Sequence, residues 1–120
     1  MNGRVPALRI LSLLGLLAAA CGADAAPPGP ADQTLTASGT VETLPHEGSD
    51  RREIAIAHDA IPDFRDREGA VVGMDAMTMQ FELADGISLA GVSPGDRVRF
   101  TFEVRWDARP MLYVTALRAL

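Results

Sequence analysis

Over residues 97–106 the chain alternates without a break. Val98, Phe100, Phe102, Val104 and Trp106 are apolar, and Arg97, Arg99, Thr101, Glu103 and Arg105 are polar. Successive side chains of a strand point to opposite faces, so a two-residue period of this length specifies a half-buried β-strand. Shorter pieces obey the same period. Residues 34–44 are rich in Thr and Val with Gly39 in the middle, which predicts a strand carrying a bulge or a sharp bend at the glycine. Residues 52–58 place Ile54, Ile56 and His58 on one face. Met77, Met79, Phe81 and Leu83 share a face of the next strand, with Thr78, Gln80 and Glu82 opposite. Residues 111–117 form a last strand, entered through a turn at 107–110. Turn chemistry separates the pieces: Gly48, Ser49 and Asp50 lie within 45–50, and Ser93-Pro94-Gly95-Asp96 has the Pro and Gly placement of a type II turn. At most a short helical turn fits between Gly86 and Val92. Five short strands within residues 34–120 predict an all-β fold, a small closed five-stranded barrel, with a sandwich as the alternative. Closure removes the exposed edges that a domain this small has no other element to cover.

The start of the chain follows other rules. Arg4 and Arg9 precede an apolar run at 10–20 that is too short to span a bilayer, so residues 1–20 read as a signal peptide. The run ends in Leu17-Ala18-Ala19-Ala20-Cys21-Gly22. Small residues before a lone cysteine resemble a bacterial lipobox, with Cys21 lipidated and left as the mature N-terminus. Ala18 stands where that motif usually has leucine, and ordinary cleavage after Ala23-Asp24-Ala25 is the alternative. Gly22 after the cysteine resembles the class directed to the outer membrane. Residues 21–33 are a Pro/Ala-rich flexible linker, and 34–120 the barrel domain. Both readings place the protein outside the cytoplasm, in the periplasm. The membrane is then reached only through the lipid anchor.

Cys21 is the only cysteine, so no internal disulfide can form. The formal charge is −5 for the whole chain. Loss of residues 1–20 removes two arginines and no acid, which makes it more negative still. There is no lysine. An acidic domain lacks the basic footprint that nucleic acid needs, which argues against an oligonucleotide-binding barrel. No nucleophile–base pair or carboxylate dyad stands in a recognisable context, so no enzyme is expected.

Three of the five methionines fall in Met74-Asp75-Ala76-Met77-Thr78-Met79. Met77 and Met79, two apart on one strand face, stand about 6.6 Å apart along the strand, within reach of a common point for such long side chains. Thioether sulfur is a soft, uncharged ligand that selects Cu(I) and its heavier analogue Ag(I). It also suits an oxidising compartment, where thiolates tend to become disulfides. The competing explanation is that methionines on an inner strand face fill gaps in a core. His58 ends one strand where Met77 and Met79 open the next. If those strands pair antiparallel, one imidazole and two thioethers converge. A metal-bound histidine is oriented by an acceptor on its other nitrogen, and Asp59 is the candidate. A partly solvated strand-end histidine is the alternative for His58. His46 lies in a polar turn and Met111 on the last strand, an exposed bystander and a packing residue respectively.

These residues resemble the CusF family of small periplasmic Cu(I)/Ag(I)-binding metallochaperones. The resemblance covers roughly residues 36–118. It is carried by Gly39-Thr40-Val41, His58-Asp59-Ala60-Ile61-Pro62, Met77-Thr78-Met79 with Phe81, and Gly95-Asp96-Arg97-Val98-Arg99-Phe100. It implies a five-stranded OB-like barrel and metal ligands at His58, Met77 and Met79. The implied role is tolerance or efflux of copper and silver by a monomer. The implied partner is a copper efflux adaptor or pump, or another periplasmic copper protein. Two features depart from the family. Met74 stands where the best-known member has a tryptophan covering the metal, and is read as a further thioether donor or as packing. Residues 64–73 are longer than the usual connection and read as an inserted hairpin or flap over the site, or as a solvated insertion. An OB-fold scaffold or interaction lipoprotein without metal is the alternative to the whole metal reading.

Overall fold

The computed structural model describes residues 29–120. The signal peptide at 1–20, the Cys21 lipidation site and most of the linker lie outside the described residues. Five strands follow in order: β1 (Gln33–Thr43), β2 (Glu53–His58), β3 (Met77–Leu83), β4 (Arg97–Val104) and β5 (Leu112–Ala119). They close into a barrel in the order β1-β2-β3-β5-β4. Every neighbouring pair is antiparallel except β3 with β5, which is parallel and touches only through Glu82↔Tyr113 and Leu83↔Val114. By contrast β1 and β4 pair continuously from Gln33↔Val104 to Thr40↔Arg97.

The alternation in the sequence becomes the inside and outside of this barrel. Val98, Phe100, Phe102 and Val104 of β4 are buried, with the intervening residues on the outer face. Phe81 of β3 meets Phe100 and Phe102 edge to face, at centroid distances of 5.3 and 5.2 Å. Ile54, Ile56, Val41, Leu83 and Val114 fill the space around them. Each buried side chain of this size contributes about 1.5–3 kcal/mol of transfer free energy. Edge-to-face rings add about 0.5–1.5 kcal/mol per pair. Strand β5 departs from simple alternation. Val114 pairs with Phe102 and Leu117 with Phe100, so residues three apart share the inner face, because the β4–β5 register shifts between Thr101 and Phe102 and the extra residue swaps the faces of the strand.

One local expectation takes a different form. The bulge in β1 lies between Val41 and Thr43, not at Gly39. Gly39 serves close approach instead. A Cβ there would stand 2.6 Å from the Ala57 carbonyl oxygen and 2.8 Å from the His58 Cα, so only glycine lets β1 lie against the end of β2. Residues 86–92 hold hydrogen-bonded turns and no longer helix, within the limit expected. The Ser93–Asp96 turn has the expected form, with Asp96 N donating to Ser93 O and Gly95 at a φ of 94°.

Residues 61–74 form a hairpin. It continues the β2–β3 ladder through Ile61↔Met74 and closes through Arg65↔Val71. Its tip turns to the β4–β5 turn, where Arg67 pairs with Asp107 at 3.1 Å and lies 5.6 Å from the centre of the Trp106 ring. Phe64 meets the same ring edge to face, and Gln33 holds the Arg65 backbone through both atoms of its amide. These contacts tie the insertion to the β4–β5 turn and to the start of β1. The only tryptophan is half-buried and engaged by Phe64 and Arg67.

Candidate metal centre

Strands β2 and β3 are neighbours in a register that sets His58 opposite Met77 and Ile56 opposite Met79. Directly opposite residues of an antiparallel pair share a face, and their diagonal neighbours are within reach of long side chains. His58, Met77 and Met79 are thus brought to one end of one face, as the two sequence periods require. His58 is 2% exposed, the one buried polar or charged side chain among the described residues. Met79 is half-buried and Met77 is 50% exposed.

The ring of His58 is aimed. Its Nδ1 lies 2.8 Å from the main-chain oxygen of Asp59. A carbonyl oxygen only accepts, so Nδ1 donates, and in a neutral ring that is where the single proton sits. The Nε2 lone pair then faces the Met79 Sδ, 3.2 Å away. Thioether sulfur also offers lone pairs and no proton. Two acceptors held this close leave each other unsatisfied, and a shared cation resolves that. The separation of 3.2 Å is shorter than two metal–ligand bonds end to end, which for zinc are about 2.0 Å to nitrogen and about 2.3 Å to sulfur, so one ion can touch both atoms.

Asp59 is the acceptor expected for the ring, through its main-chain oxygen and not its carboxylate. Its carboxylate does not reach His58. It is held in a fork by Arg97, with Nη2 to Oδ2 at 2.7 Å and Nη1 to Oδ1 at 3.2 Å. The hydrogen bond from Arg97, together with the charge of that guanidinium, lowers the Asp59 pKa, and the same pair raises that of Arg97.

Met74 is half-buried and packs on the core. Its backbone exchanges two hydrogen bonds with Ile61, at 2.8 and 2.9 Å, in the register that continues from His58↔Met77. His46 is exposed, and Met111 packs against the core. Among the described residues no three His, Cys, Asp or Glu side chains converge into a metal cage. The available donor set is therefore imidazole and thioether, which suits a soft monovalent ion and gives zinc, calcium or magnesium no ordinary site. Sequence reasoning missed Arg97, Gly39 and Ser38, whose carbonyl accepts the Asp59 N–H at 2.8 Å. All three lie on β1 or β4, and no local spacing links them to His58.

A family model described as copper binding periplasmic protein CusF matches residues 34–115. Among solved structures, the crystal structure of Ag(I)CusF shares 22% identity with this chain, covers 73% of it and 99% of its own length, and superposes with a TM-score of 0.52. Apo-CusF from Escherichia coli is 24% identical over 73% of this chain and 88% of its own, with a TM-score of 0.52. CusF-Ag(I) from the same organism is 24% identical over 75% and 95%, with a TM-score of 0.53. Likeness at these identities is likeness of fold, and function has to be argued from the site. No curated protein matches the chain.

Proposed function

The chain belongs to the family of the copper-binding periplasmic protein CusF, and from that premise we propose that it carries Cu(I) or Ag(I) as cargo outside the cytoplasm. The ligands are His58 Nε2 and the sulfurs of Met77 and Met79, with Met74 as a further thioether from the base of the hairpin. The observation that carries this reading is the Nε2–Sδ approach of 3.2 Å between two lone-pair atoms whose ring proton is already committed to Asp59.

The burial gradient gives the ligands different jobs. Met77, half-exposed, is the sulfur that an incoming ion meets first. His58, buried and oriented, holds the ion once the sulfurs have replaced its solvent ligands. Release runs the other way, as thioethers of a receiving protein displace Met77 and then Met79. That protein is a copper efflux adaptor or pump, or another periplasmic copper protein. No bond in a substrate is made or broken, so the role is that of a metallochaperone, not an enzyme. A lipid on Cys21 would hold the domain at the outer membrane through the linker.

Titration of the protein with Cu(I) against a competing chelator tests the site. The Met77→Ile/Met79→Ile double variant is expected to lose at least tenfold in affinity while keeping the strand alternation and hence the fold. Equal affinity for the double variant and the unaltered protein refutes the assignment.

A further inference from the structure

The ring of His58 is oriented by a main-chain atom, and a main-chain atom is only as well placed as the segment that bears it. Asp59 is the first residue past the end of β2, between the last β2–β3 pair, His58↔Met77, and the isolated Ile61↔Met74 bridge. Two contacts hold it, both from the opposite side of β2. Its N–H donates to Ser38 O of β1 at 2.8 Å. Its carboxylate takes the two-pronged Arg97 guanidinium of β4 at 2.7 and 3.2 Å. Arg97 is itself placed by its backbone pairing with Thr40, and its Nη1 stands 3.4 Å from the Thr40 hydroxyl. The peptide oxygen that receives His58 Nδ1–H is thus fixed from both β1 and β4, while the metal-facing nitrogen looks toward β3.

We propose that Arg97 is a positioning residue for the metal centre: by clamping Asp59 it holds the Asp59 carbonyl on His58 Nδ1, which selects the tautomer whose Nε2 lone pair faces the Met79 sulfur. The proposal rests on His58 being a ligand, and it reaches beyond that reading by giving a ligand's aim to a residue on another strand that touches no ligand. A planar guanidinium suits the task. Its two parallel hydrogen bonds fix the orientation of the carboxylate as well as its distance, which a lysine ammonium cannot do. Outer contacts of this kind typically change metal affinity by about 10–100-fold when removed. An ordinary exposed ion pair would leave the imidazole untouched.

The test uses three variants of the mature protein, Arg97→Gln, Arg97→Lys and Asp59→Asn, and two readouts. The first needs no metal: the nitrogen-15 chemical shifts of the His58 ring, which distinguish the two neutral tautomers. The unaltered protein is expected to show the Nδ1–H form alone. Arg97→Gln and Asp59→Asn are expected to show a mixture, and Arg97→Lys an intermediate state. The second is Cu(I) affinity by chelator competition, expected to fall about tenfold in Arg97→Gln, at the lower end for such contacts, with partial recovery in Arg97→Lys. A single tautomer in all three variants with unchanged affinity overturns the proposal, even if the melting temperature drops. A mixed tautomer in a protein that never binds Cu(I) supports the positioning role and refutes the metal reading, so the two failures are separable.

Discussion

The two ends of β3 share one inward face and have opposite fates. At the C-terminal end Leu83 and Phe81 are 3% and 1% exposed, locked between β2, β5 and the phenylalanines of β4. At the N-terminal end Met79 is half-buried and Met77 half-exposed, because the pairing with β5 extends only to Glu82 and Leu83. The alternation that makes a core at one end presents donors at the other. The lesson is that the candidate site lies where the packing of the barrel runs out along a strand whose pattern does not change. Flexible, polarizable methionine suits that boundary better than phenylalanine or leucine.

The largest effect that can break this comparison comes from truncating one residue at each end. Phe81→Ala is expected to cost about 3–5 kcal/mol by leaving a cavity among buried rings. Met77→Ala is expected to cost less than about 1 kcal/mol in the metal-free protein, because half of the side chain is already in water. Urea unfolding of both variants measures the contrast, and similar losses would show that the two ends are not different in kind. Excess Cu(I) sharpens it: the metal should raise the melting temperature of Phe81→Ala but raise that of Met77→Ala less, since only ligand binding to the native state stabilises by mass action.

A second experiment reaches the site from behind. Gly39→Ala puts a Cβ within 2.8 Å of the His58 Cα, which displaces one strand from the other at an expected cost of about 1–3 kcal/mol. The displacement falls on the histidine and leaves Phe81 and Leu83 in place. Cu(I) affinity should therefore suffer in variant protein that remains folded. Unchanged affinity would show that the barrel wall behind His58 does not set its position.

The smallest effect concerns pH. The Asp59 carboxyl is held below its usual range, chiefly by the hydrogen bond from Arg97. A depressed carboxyl pKa stabilises the native state above its unfolded value, and that contribution disappears as pH falls through the folded value. Stability from this pair should be constant from neutral pH down to about pH 4 and decline below it. Comparing the unfolding of Asp59→Asn and the unaltered protein across that window checks it. The variant should lack this component of the acid decline, and parallel curves would show that the ion pair is not formed in solution.

Much of the molecule can be read from local pattern. Alternation over 77–83 and 97–106 places two strands and their buried faces, and Pro94-Gly95 announces its turn by the φ that only glycine adopts easily. His58 with Met77 and Met79 is legible because one antiparallel register makes the end of one strand meet the start of the next. Gly39 is legible as an anomaly but not as to its purpose, since a bulge, a bend and a close approach all favour glycine. Asp59 is legible as a neighbour of the ring but not by atom, because its carboxylate is drawn away by an arginine 38 positions along. The hairpin at 61–74 can be seen as extra length. Its direction depends on Trp106, Asp107 and Gln33, which are distant in sequence.

The residues themselves determined the chemistry: a donor set of imidazole and thioether, with no cysteine in the barrel to compete, and a period of two that admits strands and little else. Those properties follow from covalent structure and local geometry, which a linear string contains in full. Tertiary structure alone decided which nitrogen of His58 faces the Met79 sulfur, which atom of Asp59 holds it there, and which way the hairpin leans. Each of those outcomes is a contact between segments far apart along the chain. Such contacts exist only once the barrel has set β1 between β2 and β4.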